Sequence, residues 1–329
     1  MLHYSARSLP ALTLFSTLAL APLAQASEVV ASIKPLQLIT AALTEGVTDT
    51  DVLLPAEGSP HHYALKPSDM RKLTDAKVVI WVGPGLEQFM VRPLARTQAQ
   101  IVTLRPDLEP HRHDTDHADH DHDHDHDHDH EPEHEHERHA DAEGHEGHEG
   151  HDHSGGNDPH IWLDPMNGLA IAQQILPALQ QALPEHSDRL QQNYTAFASA
   201  LEQKEQAIAE QLSPYRNAGF FVFHDAYAGF VEHYGLNQLG YFTVDPARKP
   251  GARHLADIRQ QLEAAKAVCV FSEPQFTSAV VNAITSGLPV AQGELDPLAR
   301  TIKVDADGYL NYLQSLSDSF TDCLAKKTD

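Results

Sequence analysis

Between His111 and His153 the chain carries sixteen of its 24 histidines and seventeen carboxylates, with Arg112 and Arg138 as the only fixed positive charges; from Asp119 to His130 Asp and His alternate. A segment with almost no apolar side chains buries too little surface to offset its ordering entropy, so no core can run through it. Residues 107–156 are therefore read as a disordered insertion, and whatever folds must be built from the blocks before and after it. The composition still has a chemistry, since neutral imidazole and carboxylate are ligands for divalent first-row metals and His-rich tracts are compositional metal binders. His120, His122, His124, His126, His128 and His130 are the accessory ligands expected there. A solvated acidic linker is the bland alternative, and for the carboxylates alone it is the better one.

Residues 1–26 read as a secretory signal. Arg7 supplies a short positive region, Leu9 to Leu20 an apolar one, and Ala24-Gln25-Ala26 a small-residue cleavage site before Ser27. No later stretch reaches the roughly 20 apolar residues of a membrane span, and no Cys beside the cleavage site could take a lipid. A soluble exported protein is expected. The formal net charge is -24, but with His neutral the tract supplies -15 of it. The flanking blocks are only mildly acidic and carry no basic stripe, which argues against a nucleic-acid partner. Cys269 and Cys323 both lie in the C-terminal block. An exported compartment permits a bridge between them, of roughly 4 kcal/mol by loop-closure entropy, with two buried free thiols as the alternative.

Both blocks alternate short apolar runs with helical patterns, which predicts α/β lobes whose mostly parallel sheets are covered by helices. In the first, 27–186, strands are expected at Val29–Ser32, Val52–Leu54, Val78–Trp81 and Ile101–Leu104. Pro35 opens a helix with the stripe Leu36, Ile39, Leu43, and Pro67-Ser68-Asp69 starts another with Ser68 as cap. Gly83-Pro84-Gly85 lacks the GxGxxG spacing of a dinucleotide cradle and is read as a strand-to-helix turn. A helix from about Asn167 to Leu183 follows the tract. Between Ser187 and Leu212 the apolar residues Leu190, Tyr194, Phe197, Leu201, Ile208 and Leu212 recur at three, four or seven, uninterrupted by Gly or Pro. One long helix, 187–213, therefore links the lobes, and its stiffness argues for small movement between them. The second lobe, 214–329, should carry strands at Phe220–Phe223, Leu239–Val244, Val268–Phe271 and Leu288–Val290. Its helices are expected at Tyr227–Tyr234, Leu255–Ala265, Ser278–Thr285 and Gly308–Leu324.

Outside the tract and the leader seven histidines remain. His61 lies in the loop after a strand, His160 just before a helix, and His224 at a strand's C-terminal end, the edge where open α/β sheets bind ligands. One such histidine would be read as structural; three at equivalent edges point to a metal site, with Asp296, after the last strand, as an oxygen ligand. Neighbouring residues of an extended loop point apart, so His61 and His62 are not expected to ligate together. His186, His233 and His254 sit on polar helix surfaces or ends and receive no role.

The segments around these residues carry a family resemblance. Leu53-Leu54-Pro55, Pro60-His61-His62-Tyr63 with Lys66-Pro67-Ser68-Asp69, Asp158-Pro159-His160-Ile161-Trp162-Leu163-Asp164-Pro165, Phe223-His224-Asp225-Ala226-Tyr227, Phe271-Ser272-Glu273-Pro274-Gln275-Phe276 and Leu295-Asp296-Pro297-Leu298 resemble the cluster A-I solute-binding proteins of ABC transporters. The similarity runs from about Val29 to the C-terminus, interrupted at the tract. Within the cluster the chain most resembles the ZnuA-type zinc-binding branch, which typically carries a charged His-rich insertion at this place and a disulfide in its second lobe. The resemblance implies that His61, His160 and His224 bind the metal, with Asp296 matching a carboxylate of manganese-binding and some zinc-binding relatives. Manganese-binding members usually have Glu where His224 stands. Pro60 replaces a Glu found beside the first His in some members, which leaves Asp296 or water for the fourth position. Three imidazoles and one oxygen suit tetrahedral zinc better than oxygen-loving Mn2+.

The expected function is capture of Zn2+ in the periplasm and delivery to the permease of a zinc ABC transporter, by a monomer, with the tract as accessory collector or sensor and a periplasmic zinc chaperone as a second candidate partner. The alternatives are a solute-binding protein for manganese or another divalent metal, or a metal buffer acting through the tract alone. A zinc hydrolase would also use three protein ligands, but although Asp225 and Glu273 could serve as bases, no HExxH pairing is present, and no enzyme is expected.

Overall fold

The computed structural model describes residues 27–105, 107, 158–244, 251–265, 267–275 and 279–326. The expected signal segment, 1–26, and the histidines His120 to His130 expected as accessory ligands lie outside the described residues. Two four-stranded sheets, parallel throughout, form the framework. The first contains β1 (Val29–Ala31), β2 (Thr50–Val52), β3 (Val78–Trp81) and β4 (Gln100–Thr103) in the order β2-β1-β3-β4. The second contains β5 (Gly219–His224), β6 (Asn237–Thr243), β7 (Cys269–Ser272) and β8 (Ala291–Glu294) in the order β6-β5-β7-β8. The helices of the first half are α1 (Lys34–Leu43), α2 (Pro67–Asp75), the short α3 (Val91–Leu94) and α4 (Pro165–Ala182). Helix α5 (Ser187–Leu212) runs 26 residues between the two sheets in sequence, burying Leu190, Phe197, Leu201, Ile208 and Leu212. The second half adds α6 (Ala228–Tyr234), α7 (Ala252–Ala265), α8 (Ala279–Thr285) and α9 (Gly308–Leu324).

Successive strand residues point to opposite faces, and the burial follows that rule. Val29 and Ala31, Val78 and Ile80, Phe220 and Val222, and Cys269 and Phe271 all enter one core cluster shared by both sheets and completed by α1, α4, α5 and α9. Their neighbours face outward. Val30, Val79 and Trp81 meet Leu73, Met90 and Leu94 beneath α2 and α3, while Phe221, Phe223 and Val270 meet Ile258, Leu262, Val281 and Ile284 beneath α7 and α8. Aromatic packing is densest in the second lobe, where Phe320 lies against Phe220, Phe230 and Phe271 with ring centroids 5.0–5.3 Å apart.

Cys269 of β7 and Cys323 of α9 form a disulfide, Cα–Cα 6.0 Å, which decides against two free thiols. Other local expectations shift. Ser68 is not the cap of α2: Pro67 takes the first helical position, Lys66 is the N-cap, and the Asp69 carboxylate accepts the Lys66 N–H at 2.8 Å. The second strand spans 50–52 and not 52–54, though Leu53 N and Leu54 N extend its ladder to Ala31 O and Ser32 O at 2.9 Å. Leu288-Pro289-Val290 is no strand, because Gly287 turns with φ 78° and Pro289 has no N–H to donate; pairing begins at Ala291. Gly83-Pro84-Gly85 is a turn as expected. Gly83 sits at φ 149°, where a Cβ would lie 2.5 Å from Arg105 O, and its N–H donates inward to Glu87 Oε2 at 3.0 Å.

Candidate metal centre

His61 is carried by the loop between β2 and α2, shaped by a turn closing from Gly58 N to Pro55 O and a bridge between Ser59 and His62. His160 heads the 3-10 turn Ile161–Leu163 that leads into α4, and Trp162 Nε1 anchors this turn to Pro297 O of the second lobe at 2.7 Å. His224 is the last residue of β5. A strand ending at a sheet's C-terminal edge points its terminal side chain toward the crevice beyond it. These three placements put the imidazoles together, with His160 and His224 buried and His61 half-buried.

Their ligand nitrogens all lie within 4.8 Å of one another. His61 Nε2 and His160 Nε2 are 3.3 Å apart, the spacing of about 3.3 to 3.4 Å that two nitrogens take on a tetrahedral ion with bonds of about 2.0–2.1 Å. The ring centroids stand 5.3 Å (His61–His160), 5.3 Å (His61–His224) and 4.8 Å (His160–His224) apart. His224 Nε2 is buried with no hydrogen-bond partner among the described residues, a costly state for a ring nitrogen that does nothing. Ser59, Pro60, Trp162, Glu273, Gln275, Pro297 and Leu298 complete the walls of the cavity, so the lining is largely apolar around three convergent nitrogens.

Asp296 is not brought into this group. Its Oδ1 accepts from Leu298 N at 3.0 Å and Gln275 Nε2 at 3.1 Å, and its Oδ2 accepts from Arg300 N at 2.7 Å, so the carboxylate caps its own turn. Lys34 Nζ of α1 reaches Arg300 O in the same turn at 2.9 Å, and burial lowers the Lys34 pKa against the opposing pull of Asp296. His62 is exposed and outside the cluster. Of the histidines given no role, His233 contacts Glu205 at 2.9 Å and His254 contacts Phe242 O at 2.9 Å.

Two carboxylates that sequence reasoning left out of the site stand behind its rings. Asp158 Oδ1 lies 2.7 Å from His160 Nδ1 and also accepts the His160 N–H at 2.9 Å. Burial pushes the Asp158 carboxyl up, but the His160 imidazole and hydrogen bonds outweigh it, with His224 adding to them, and hold it below the usual range. Glu273 Oε1 lies 3.6 Å from His224 Nδ1 and accepts from Tyr227 Oη at 3.1 Å. The Tyr227 hydroxyl, fully buried and facing Glu273, is raised well above its ordinary pKa and stays a donor. The only advance signal was proximity in sequence for Asp158, two residues before its histidine.

Comparison with known proteins identifies the family. A family model described as "Zinc-uptake complex component A periplasmic", ZnuA, matches residues 29–323. The "High-affinity zinc uptake system protein ZnuA" of Yersinia pestis is 41% identical over 299 residues, covering 90% of this chain and 91% of that protein. The protein of that name from Haemophilus influenzae is 38% identical over 321 residues, covering 93% and 95%. A crystal structure of ZnuA superposes with a TM-score of 0.68 over 90% of this chain and 98% of that one, at 23% identity, a likeness of fold. The chain belongs to the ZnuA family of periplasmic zinc-uptake components.

Proposed function

We propose that the chain captures Zn2+ in the cleft formed by His61, His160 and His224, each binding through a ring nitrogen, and hands it to the permease of a zinc ABC transporter. The convergence of three imidazoles from both halves of the chain, with the buried His224 Nε2 unpartnered, carries the reading. Relatives named as high-affinity zinc uptake proteins support it. The family is one of transport components and not of enzymes. Among the described residues no helix is long and apolar enough to cross a membrane. Neutral imidazoles favour zinc over manganese, and with Asp296 committed to its own turn the fourth position falls to water.

Lobes at 27–186 and 214–329 joined by 187–213, a monomer in the periplasm, and a tract at 107–156 that collects zinc near the cleft complete the proposal. A zinc chaperone is a further candidate partner. Flexible tract ligands lose backbone entropy of about 1–2 kcal/mol per ordered residue on binding, so each ion there binds more weakly than in a preformed site. The test is a zinc titration of the mature protein beside a His61→Ala/His160→Ala/His224→Ala variant and a tract deletion, with manganese, copper and nickel as competitors. The triple variant loses the tightest site and the deletion keeps it. A tight site that survives the triple change, or vanishes with the tract, overturns the assignment.

A further inference from the structure

A site of three neutral imidazoles binding a divalent ion has two problems that the rings do not solve alone. Each ring must expose an unprotonated nitrogen to the ion, and a charge of +2 must be held in a cavity whose wall is largely apolar, with Pro60, Trp162, Pro297 and Leu298 beside Ser59, Glu273 and Gln275. We propose that Asp158 is the positioning residue that meets both needs at His160, holding its Nδ1–H so that its Nε2 faces the ion, and that Glu273, 3.6 Å from His224 Nδ1 and beyond hydrogen-bond reach, joins it only in balancing the ion's charge from outside the ligand set. This rests on the zinc reading of the three histidines.

The geometry separates the two carboxylates from ligands. Both lie on the Nδ1 side of their rings, whereas Nε2 of His160 stands 3.3 Å from Nε2 of His61 and the buried Nε2 of His224 has no partner among the described residues. A carboxylate can only accept, so the 2.7 Å contact to Asp158 places the proton of neutral His160 on Nδ1 and leaves Nε2 as a lone pair. The His160 N–H donates to the same oxygen at 2.9 Å and fixes the side chain of Asp158 in one position. Glu273 is buried, held by the Tyr227 hydroxyl, which itself touches Leu295 O at 3.3 Å. At 3.6 Å from His224 Nδ1 it is beyond hydrogen-bond reach and acts on that ring only through its charge. The two acids come from different lobes, one before α4 and one after β7.

The decisive experiment records histidine ring 15N spectra of the zinc-free mature protein and then titrates zinc. Wild-type protein shows His160 as the Nδ1–H tautomer. Asp158→Ala abolishes that bias at His160 and weakens zinc binding roughly 10- to 100-fold, as loss of an outer partner of a metal-bound histidine does. Asp158→Asn, which keeps the acceptor oxygen and removes the charge, retains the tautomer and loses affinity less; Glu273→Gln lowers zinc affinity by a smaller factor and leaves the His160 tautomer unchanged. An Nε2–H tautomer at His160 in the wild type, or variants whose tautomers and zinc affinity both stay within twofold of wild type, overturns the proposal. Failure of the zinc reading itself is seen separately, as a wild-type tight site that persists when the three histidines are replaced.

Discussion

The two sheets share one strand order, and their equivalent positions have been put to different uses. In the first lobe Ser32 follows β1, and Gly83 and Glu87 follow β3; in the second His224 ends β5 and Glu273 follows β7. Each pair stands at the C-terminal ends of the two central strands, where crossovers to opposite sides leave a crevice. In the first lobe the crevice is sealed. Glu87 is fully buried, hydrogen-bonded by Ser32 Oγ and by Gly83 N, and desolvation pushes its carboxyl up to about 7 against those bonds. In the second lobe the crevice opens into the cavity, and a histidine faces the acid. Topology marks two places for a ligand; the side chains decide which one is filled by the protein itself.

The lobes also differ in what holds them, and removing the bridge tests this most severely. The disulfide spans a sequence separation of 54, so a Cys269→Ala/Cys323→Ala variant should lose about 4 kcal/mol by the loop-closure estimate. Urea unfolding beside the wild type measures it, and a change below about 1 kcal/mol would show that the aromatic packing around Phe320 suffices alone.

The sealed acid of the first lobe comes next in size. A carboxyl whose pKa rises from 4.5 to about 7 on folding keeps its proton where the unfolded chain has lost it. Stability therefore falls as pH rises from about 4.5 to 7, and the loss, about 3 kcal/mol, is complete above 7. Glu87→Gln offers Ser32 and Gly83 the same shape without the charge. It should be nearly neutral at pH 4.5 and more stable than wild type at pH 8, read from denaturation midpoints at both values; equal differences at the two pH values would refute the buried-acid account.

Outside the crevices the comparison should vanish. The half-buried surface pair Lys72–Asp51 at 3.0 Å is worth about 1 kcal/mol or less, so Lys72→Met should shift the melting midpoint little and less still in high salt.

Much of this was legible in the sequence because it rests on periodicity and position. The run Val78–Trp81 is a strand and Gly308–Leu324 a helix at the expected residues, since burial on both faces and a 3.6-residue stripe leave no other reading. The three histidines stood out because each falls where a sheet or helix meets the crevice. Edge strand β8, with the sequence Ala-Gln-Gly-Glu, has no apolar pattern to show and was sought three residues early. The hydrogen bonds of Asp296 to Leu298 N and Arg300 N were not legible, because backbone N–H partners leave no mark on composition. Glu273 is 49 residues from the ring it approaches, a distance only the fold closes.

The shared core has a thermodynamic consequence. Tyr309 Oη of α9 donates to Trp162 O at 2.8 Å, a Cβ on Gly308 would lie 2.8 Å from Leu38 of α1, and one on Gly168 of α4 would lie 2.5 Å from the Tyr309 ring. The last helix of the chain is thus keyed into its first and fourth. Excising either half would strip Leu38, Trp162 and Tyr309 of their cover, all of them essentially inaccessible to solvent in the whole protein. The two sheets are therefore expected to melt together as one cooperative unit, and a single calorimetric transition is the outcome that checks it.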